Sequence, residues 1–249
     1  MKSKRITVAG MLVKEVVYTR GSGRDGPRIR AAKRKVSTEA QLRMNAKYSW
    51  EKLELMLAAN FLPGDLVVTL TYDDDHLPDS RAKANARLKK FRKMLADLRS
   101  DRGEDLRMIW TTENRSDGGR WHHHCVINGT GEDYVEIQRL WVWGTGIDIK
   151  SLKVSREKNY ESLARYMCKE ARERPGLRSW SYTRTCRHPE TEVFPVPDDT
   201  DVTIPEDATV IADASVRTEY GAFHYIKYLA VSPQQLRGRR PRAKHRRRI

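Results

Sequence analysis

Cysteine is scarce in this 249-residue chain: only Cys125, Cys168 and Cys186 occur, with no CxxC pair. That odd, unpaired set argues against a disulfide framework or a cysteine zinc site. No apolar run reaches the roughly 18 residues that span a bilayer. The stretch 6–13 is interrupted by Thr7 and Gly10 and followed by Lys14 and Glu15. It is too short and broken for a secretory signal, so the chain reads as cytoplasmic, with no membrane partner. No GxxxxGK[ST] sequence appears, so no helicase motor is expected. Acidic residues are outnumbered as well, 33 against 48 Lys and Arg, leaving a formal charge of +15. Such an excess draws polyanions, of which nucleic acid is the usual one. Ribosomal, chromatin and membrane-surface proteins share that property, so motifs must decide the class. The 39% hydrophobic and 33% charged fractions suit one modest core with polar extensions.

Along the chain, residues 5–19 read as strand-like and 20–35 as a Gly/Arg-rich basic arm. Thr38-Glu39-Ala40-Gln41 fits a capping box. Behind it Leu42, Ala46, Trp50, Leu53 and Leu57 recur at helical spacing until Asn60 and Pro63-Gly64 end the helix. Residues 66–72 are a β-branched, buried strand closed by Asp73-Asp74-Asp75. A second helix over 81–99 points Ala84, Leu88, Phe91, Leu95 and Leu98 inward. Lys83, Arg87, Lys89, Lys90, Arg92, Lys93 and Arg99 cover its other faces. That charge fits a solvated face as well as a DNA-backbone contact, for which Lys89, Lys90 and Lys93 are the candidates. Paired strands are expected over 106–113 and 120–127, then a short helix over 134–143, a strand near 146–152 and a helix over 157–172. The acidic, proline-containing segment 195–215 reads as a surface loop, and 217–231 as a last short element. The tail 237–248 holds eight Lys or Arg in twelve residues. It cannot pack a core and is expected to be disordered until Arg239, Arg240, Arg246 and Arg247 meet an anion.

The stretch with the most chemistry runs from Glu113 to His124. Residues two apart on a strand share a face, so His122 and His124 project together and His123 projects away. Asp117-Gly118 favours a two-residue primed turn, which sets Ser116 opposite Gly119 and therefore Glu113 opposite His122. Their Cβ atoms would then lie about 5 Å apart. Two imidazoles and a carboxylate converging in this way offer three ligands with open positions. Mixed N/O ligation suits Mg²⁺ or Mn²⁺ as a Lewis acid, and zinc also fits. A plain surface run of histidines is the alternative. In the later helix, Tyr160, Leu163, Ala164, Met167 and Ala171 form an apolar stripe, so Tyr160 belongs to the core. Tyr166 lies off that stripe, on the side of the helix that carries Lys169. Taken alone, it is equally an amphipathic surface tyrosine.

In order and spacing these pieces resemble the HUH endonuclease superfamily, and within it the rolling-circle replication initiators of phages and plasmids. The resemblance spans about residues 61–189. It rests on Val68-Thr69-Leu70-Thr71-Tyr72-Asp73-Asp74, on Gly119-Arg120-Trp121-His122-His123-His124 with Glu113 as the upstream acid, and on Tyr166-x-x-Lys169. Trp143-Gly144 to Ile149 matches the link before the tyrosine helix. His123 departs from the pattern, which places a bulky hydrophobic residue between the ligands; strand alternation still assigns the ligand roles to 122 and 124.

The resemblance implies an α+β fold, a ferredoxin-like antiparallel sheet with helices packed on it. The endonuclease domain would cover 61–190, between an N-terminal basic extension and helix over 1–60 and an acidic loop with basic tail over 191–249. It further implies that a divalent metal ion, Mg²⁺ or Mn²⁺, on Glu113, His122 and His124 polarises a scissile phosphate. Tyr166 would attack, release a 3′-hydroxyl and keep a 5′-phosphotyrosyl link from which the strand is resealed without ATP. Lys169 is suited either to the tyrosinate or to the phosphate, and Arg120 to the DNA. The implied partners are single-stranded DNA at an origin and a host- or element-encoded helicase. Rival readings are a relaxase or transposase of the same superfamily, a hydrolytic nuclease using activated water, and a non-catalytic nucleic-acid-binding protein.

Overall fold

The structure, a computed structural model, describes residues 1–20, 38–114, 119–153, 159–169, 179–219 and 221–230. The expected basic arm beyond residue 20, the Asp117-Gly118 turn and the tail with Arg239, Arg240, Arg246 and Arg247 lie outside the described residues. In chain order the elements are β1 (Lys2–Ala9), β2 (Leu12–Thr19), α1 (Glu39–Asn60), β3 (Leu66–Thr71), a 3₁₀ turn (Asp74–His76) and α2 (Arg81–Ser100). They continue with β4 (Met108–Asn114), β5 (Trp121–Ile127), α3 (Asp133–Leu140), β6 (Ile147–Ser151) and α4 (Glu161–Met167). The last are β7 (Ser181–Tyr182), β8 (Glu190–Val196), β9 (Thr209–Thr218) and β10 (Gly221–Leu229). The fold is α+β, with two five-stranded antiparallel sheets in two compact units.

The central unit, which ends at His188, holds the sheet β6-β3-β5-β4-β7. Its long helices start where the sequence supplies caps. Thr38 Oγ1 accepts from the amide of Gln41, and Ser80 Oγ accepts from that of Lys83, each satisfying an otherwise orphan donor. Strand alternation then divides the side chains between two faces. Val67, Ile109 and Val126 meet Leu53, Met56 and Leu57 of α1 and Ala164 and Met167 of α4. Val68, Leu70, Met108, Cys125 and Ile127 face the other way, against Leu88, Phe91 and Leu95 of α2, Ile137 of α3, and Trp141 beyond it. Helices therefore pack on both faces of this sheet. Helix α1, grouped on sequence with the N-terminal extension, packs within this unit.

The other unit joins the two ends of the chain in the sheet β8-β1-β2-β10-β9. Residues 5–19, expected as one strand-like stretch, are a hairpin instead. Gly10, at φ +58°, turns the chain so that Ala9 pairs with Leu12. The expected loop over 195–215 contributes the end of β8 and much of β9, because β1 and β10 supply their ladders. Most of β9 is solvent-exposed, so no apolar alternation marks it in the sequence. Its unit has a small core of Ile6, Val13, Ile226, Tyr228 and Ala230.

Two residues of α2 depart from their expected places: Leu98, expected to point inward, is only partly buried, and its neighbour takes the buried position. Arg99, assigned to the charged surface of α2, is fully buried, where its guanidinium pairs with Asp133 and donates to Asn128 Oδ1 and O, each at 2.8 Å. No described helix is long and apolar enough to cross a membrane.

Candidate metal and nucleophile site

The register that builds the site is observed directly: Glu113 of β4 lies opposite His122 of β5, and Asn114 lies opposite Trp121. On the other side of β5, Thr69 pairs with His124 and Thr71 with His122. Glu113, His122, His124, Thr69 and Thr71 share by alternation the face of Val67, Ile109 and Val126, the one covered by α1 and α4. His122 Nε2 and His124 Nε2 approach the same Glu113 oxygen, Oε2, at 3.5 and 3.6 Å.

Each imidazole is aimed by its other nitrogen. His122 Nδ1 lies 3.1 Å from the carbonyl oxygen of Arg120, which only accepts, so Nδ1 carries the proton and Nε2 keeps its lone pair. His124 Nδ1 lies 3.2 Å from Thr69 Oγ1. A threonine accepting there fixes the same tautomer. Sequence reasoning assigns Thr69 no role; its signal is its place on the alternation with Thr71, beside the histidine pair.

Three ligand atoms, one each from Glu113, His122 and His124, lie within 4.8 Å of one another. This buried group could bind a metal ion, and two observations fit one. The Nε2 lone pairs converge on a carboxylate, and Glu113 Oε1 is buried without a hydrogen-bond partner. Burial works against the charge on Glu113. With both rings protonated at Nε2 as well, hydrogen bonds from His122 and His124, the charge on His124 and the hydrogen bond from Lys169 outweigh it and hold the carboxyl well below the usual range.

The middle histidine does different work. His123 is fully buried on the opposite face, in edge contacts with Tyr72 and Trp141. Thr112 Oγ1 donates to Asn85 Oδ1, so at 2.9 Å it accepts from His123 Nδ1. His123 Nε2 then accepts from the Tyr72 hydroxyl at 2.7 Å. Burial, aided by charge on the flanking histidines, lowers its pKa to about 3, so it stays neutral.

Helix α4 brings two more groups to the cluster. Tyr166, 46% exposed, sets its hydroxyl 3.1 Å from His124 Nε2. Lys169 Nζ lies 3.1 Å from Glu113 Oε2 and 4.0 Å from the centre of the Tyr166 ring. Burial disfavours the Lys169 ammonium, but the hydrogen bond and charge of Glu113 prevail and raise its pKa. Tyr160 caps the start of the helix instead. It is buried, and its hydroxyl donates to the Phe61 carbonyl at 3.2 Å.

The cluster opens on a cavity of about 930 Å³ that reaches from Tyr166 and Lys169 to Asp73 and Arg120. Arg120 is anchored at its rim by Asp74 and by the Tyr72 carbonyl, 2.7 Å away. The chain after Trp143 passes so close to β3 that a Cβ on Gly144 would lie 2.4 Å from the Thr71 carbonyl oxygen, and one on Gly146 2.2 Å from Thr71 Oγ1. Only glycine fits at both points. Lys89, Lys90 and Lys93 are not part of this site; they line a separate groove along α2, the helix on the opposite face.

Residues 65–172 match the sequence model of a replication-associated protein family, that of the ORF2 and gene-2-protein type, whose members are rolling-circle replication initiators. The matched span holds Glu113, His122, His124, Tyr166 and Lys169. No curated protein and no solved structure matches the chain.

Proposed function

We propose that this chain initiates rolling-circle replication by nicking single-stranded DNA at an origin and rejoining it through a covalent 5′-phosphotyrosine on Tyr166. The family match supports the replication role. The observation that carries the chemistry is the meeting of the Tyr166 hydroxyl with the Glu113, His122 and His124 cluster, 3.1 Å from His124 Nε2.

Glu113, His122 and His124 would hold the metal ion, Mg²⁺ or Mn²⁺ by its mixed N/O donors. When bound, it supplies Lewis-acid stabilisation of charge developing on a phosphate oxygen. Everything else falls to the protein. Tyr166 Oη attacks the phosphorus; the bond from phosphorus to the 3′ oxygen breaks as the new P–O bond forms. The tyrosine proton is balanced by the one the departing 3′ oxygen gains. Lys169 offers a cation within reach of the Tyr166 oxygen and of the transferred phosphate. Arg120, fixed at the cavity rim, is suited to a neighbouring phosphate. Because the phosphodiester energy stays in the tyrosyl link, a returning 3′-hydroxyl reseals the strand by the reverse displacement. Strand separation is assigned to a partner helicase.

The test is direct. The protein, incubated with origin-region single-stranded DNA and Mn²⁺, should yield an adduct that survives denaturation, with the nucleotide mapped to Tyr166. Cleavage without an adduct would transfer the role of nucleophile to water.

A further inference from the structure

A separate concavity of the central unit is on the α2 face of the sheet. It is a groove of about 760 Å³ between α2 and residues 183–185, with Ala86, Ala96 and Leu106 among its lining. Lys89, Lys90, Arg92, Lys93 and Arg184 line it, against Asp97, Glu104 and Asp105. Two of those acids are already engaged: Asp97 with Lys93 at 3.3 Å and Glu104 with Arg102 at 3.1 Å. A positive surplus remains on Lys89, Lys90, Arg92 and Arg184.

Arg92 is the informative member. It is partly buried, with its guanidinium 4.3 Å from the centre of the Trp110 ring. Burial lowers its pKa, and no carboxylate among the described residues pairs with it. A desolvated guanidinium held over an aromatic ring, with its edge donors unspent, is built to receive an anion. A positively charged groove of this kind can track the backbone of a single strand. Since the metal cluster faces α1 and α4, whatever binds here is not the scissile phosphate.

We propose that this groove carries the backbone of single-stranded DNA away from the point of cleavage, giving the protein a second, sequence-independent hold on the strand. The identity of the polyanion rests on the function proposed above, but the groove is tested by binding alone.

The experiment measures affinity and its salt dependence for the full chain and for a Lys89→Gln/Lys90→Gln/Arg184→Gln variant, whose substitutions are all at exposed positions. The probes are a long single strand, a strand short enough to cover only the cavity beside His124, and a duplex. Three lost phosphate contacts at roughly 0.7 each should flatten the salt slope on the long strand by about 2. The short strand should bind with nearly unchanged affinity. An unchanged slope on the long strand overturns the proposal, and so does a loss confined to the duplex. Failure of the chain to nick DNA would count against the catalytic reading without touching this result.

Discussion

The hydroxyl of Tyr166 and the Nε2 of His124 are 3.1 Å apart, although 42 residues separate them in the chain. Six residues before Tyr166, the Tyr160 hydroxyl is spent on the Phe61 carbonyl in the core. The two tyrosines therefore make opposite predictions. Tyr166→Phe should abolish both nicking and the covalent adduct while single-strand binding survives. Tyr160→Phe removes one buried hydrogen bond, costs about 1 kcal/mol of stability, and should retain substantial nicking. Denaturing gels of the two variants with labelled DNA decide this, and full activity in Tyr166→Phe overturns the assignment.

Thr69 holds the nitrogen of His124 that is turned away from the ligand cluster. Thr69→Val should weaken Mn²⁺ affinity by roughly 10- to 100-fold, the usual effect of losing an outer-shell partner. Thr69→Ser should restore it. Calorimetric Mn²⁺ titration of the three proteins gives a readout independent of DNA cleavage. For the parent protein, excess EDTA should stop nicking and Mn²⁺ should restore it; undiminished cleavage in EDTA rules out a catalytic metal.

Much of this site can be read from the sequence because its logic is local. Alternation along β5 separates His122 and His124 from His123, and counting through a two-residue turn sets Glu113 opposite His122, the register observed. The long helices announce themselves by the Thr38 capping box and by the spacing of Leu88, Phe91 and Leu95. The terminal sheet is legible only in part: residues 5–19 read as strand-like and 217–231 as a short element, but nothing local gives their partners. Lys2 pairs with Val196 across nearly the whole chain, and β9 is too exposed to show a period. Arg99 eludes sequence reasoning for a related reason: its partner Asp133 belongs to α3, and composition alone makes an arginine on a basic helix look like surface.

Arg99 gives a prediction of its own. Arg99→Met leaves the Asp133 carboxylate buried without its cation, and breaking a buried pair from one side costs about 3–5 kcal/mol. Urea unfolding should show a loss of this size. A change under about 1 kcal/mol, the range of exposed pairs, would mean that the pair is solvated in solution.

In the terminal unit, His224 sits between Asp201 and Asp213, which it reaches through Nδ1 and Nε2. Partial burial disfavours its charged form, but the hydrogen bonds and charges of Asp213 and Asp201 prevail and raise its pKa. A raised folded-state pKa adds stability that is complete below the unfolded value of 6.5 and is lost as pH rises through the folded value. Thermal unfolding followed through this unit should therefore occur at a higher temperature at about pH 6 than at about pH 8. His224→Gln should shrink that difference; a variant with the full difference assigns it to other groups.

The three consecutive histidines of β5 couple the ligand cluster to folding in an all-or-none manner. The outer two point at the ligand cluster, while the middle one is clamped between Tyr72 and Thr112 on the opposite face. A slip of one residue along this strand would exchange them, sending the neutral, core-packed imidazole into the open cavity and burying two potential ligands among Phe91, Leu95 and Trp141. No partly shifted arrangement keeps either face intact. A substitution in this strand therefore touches one face at a time, but an insertion or deletion within it would remove the site and the core together.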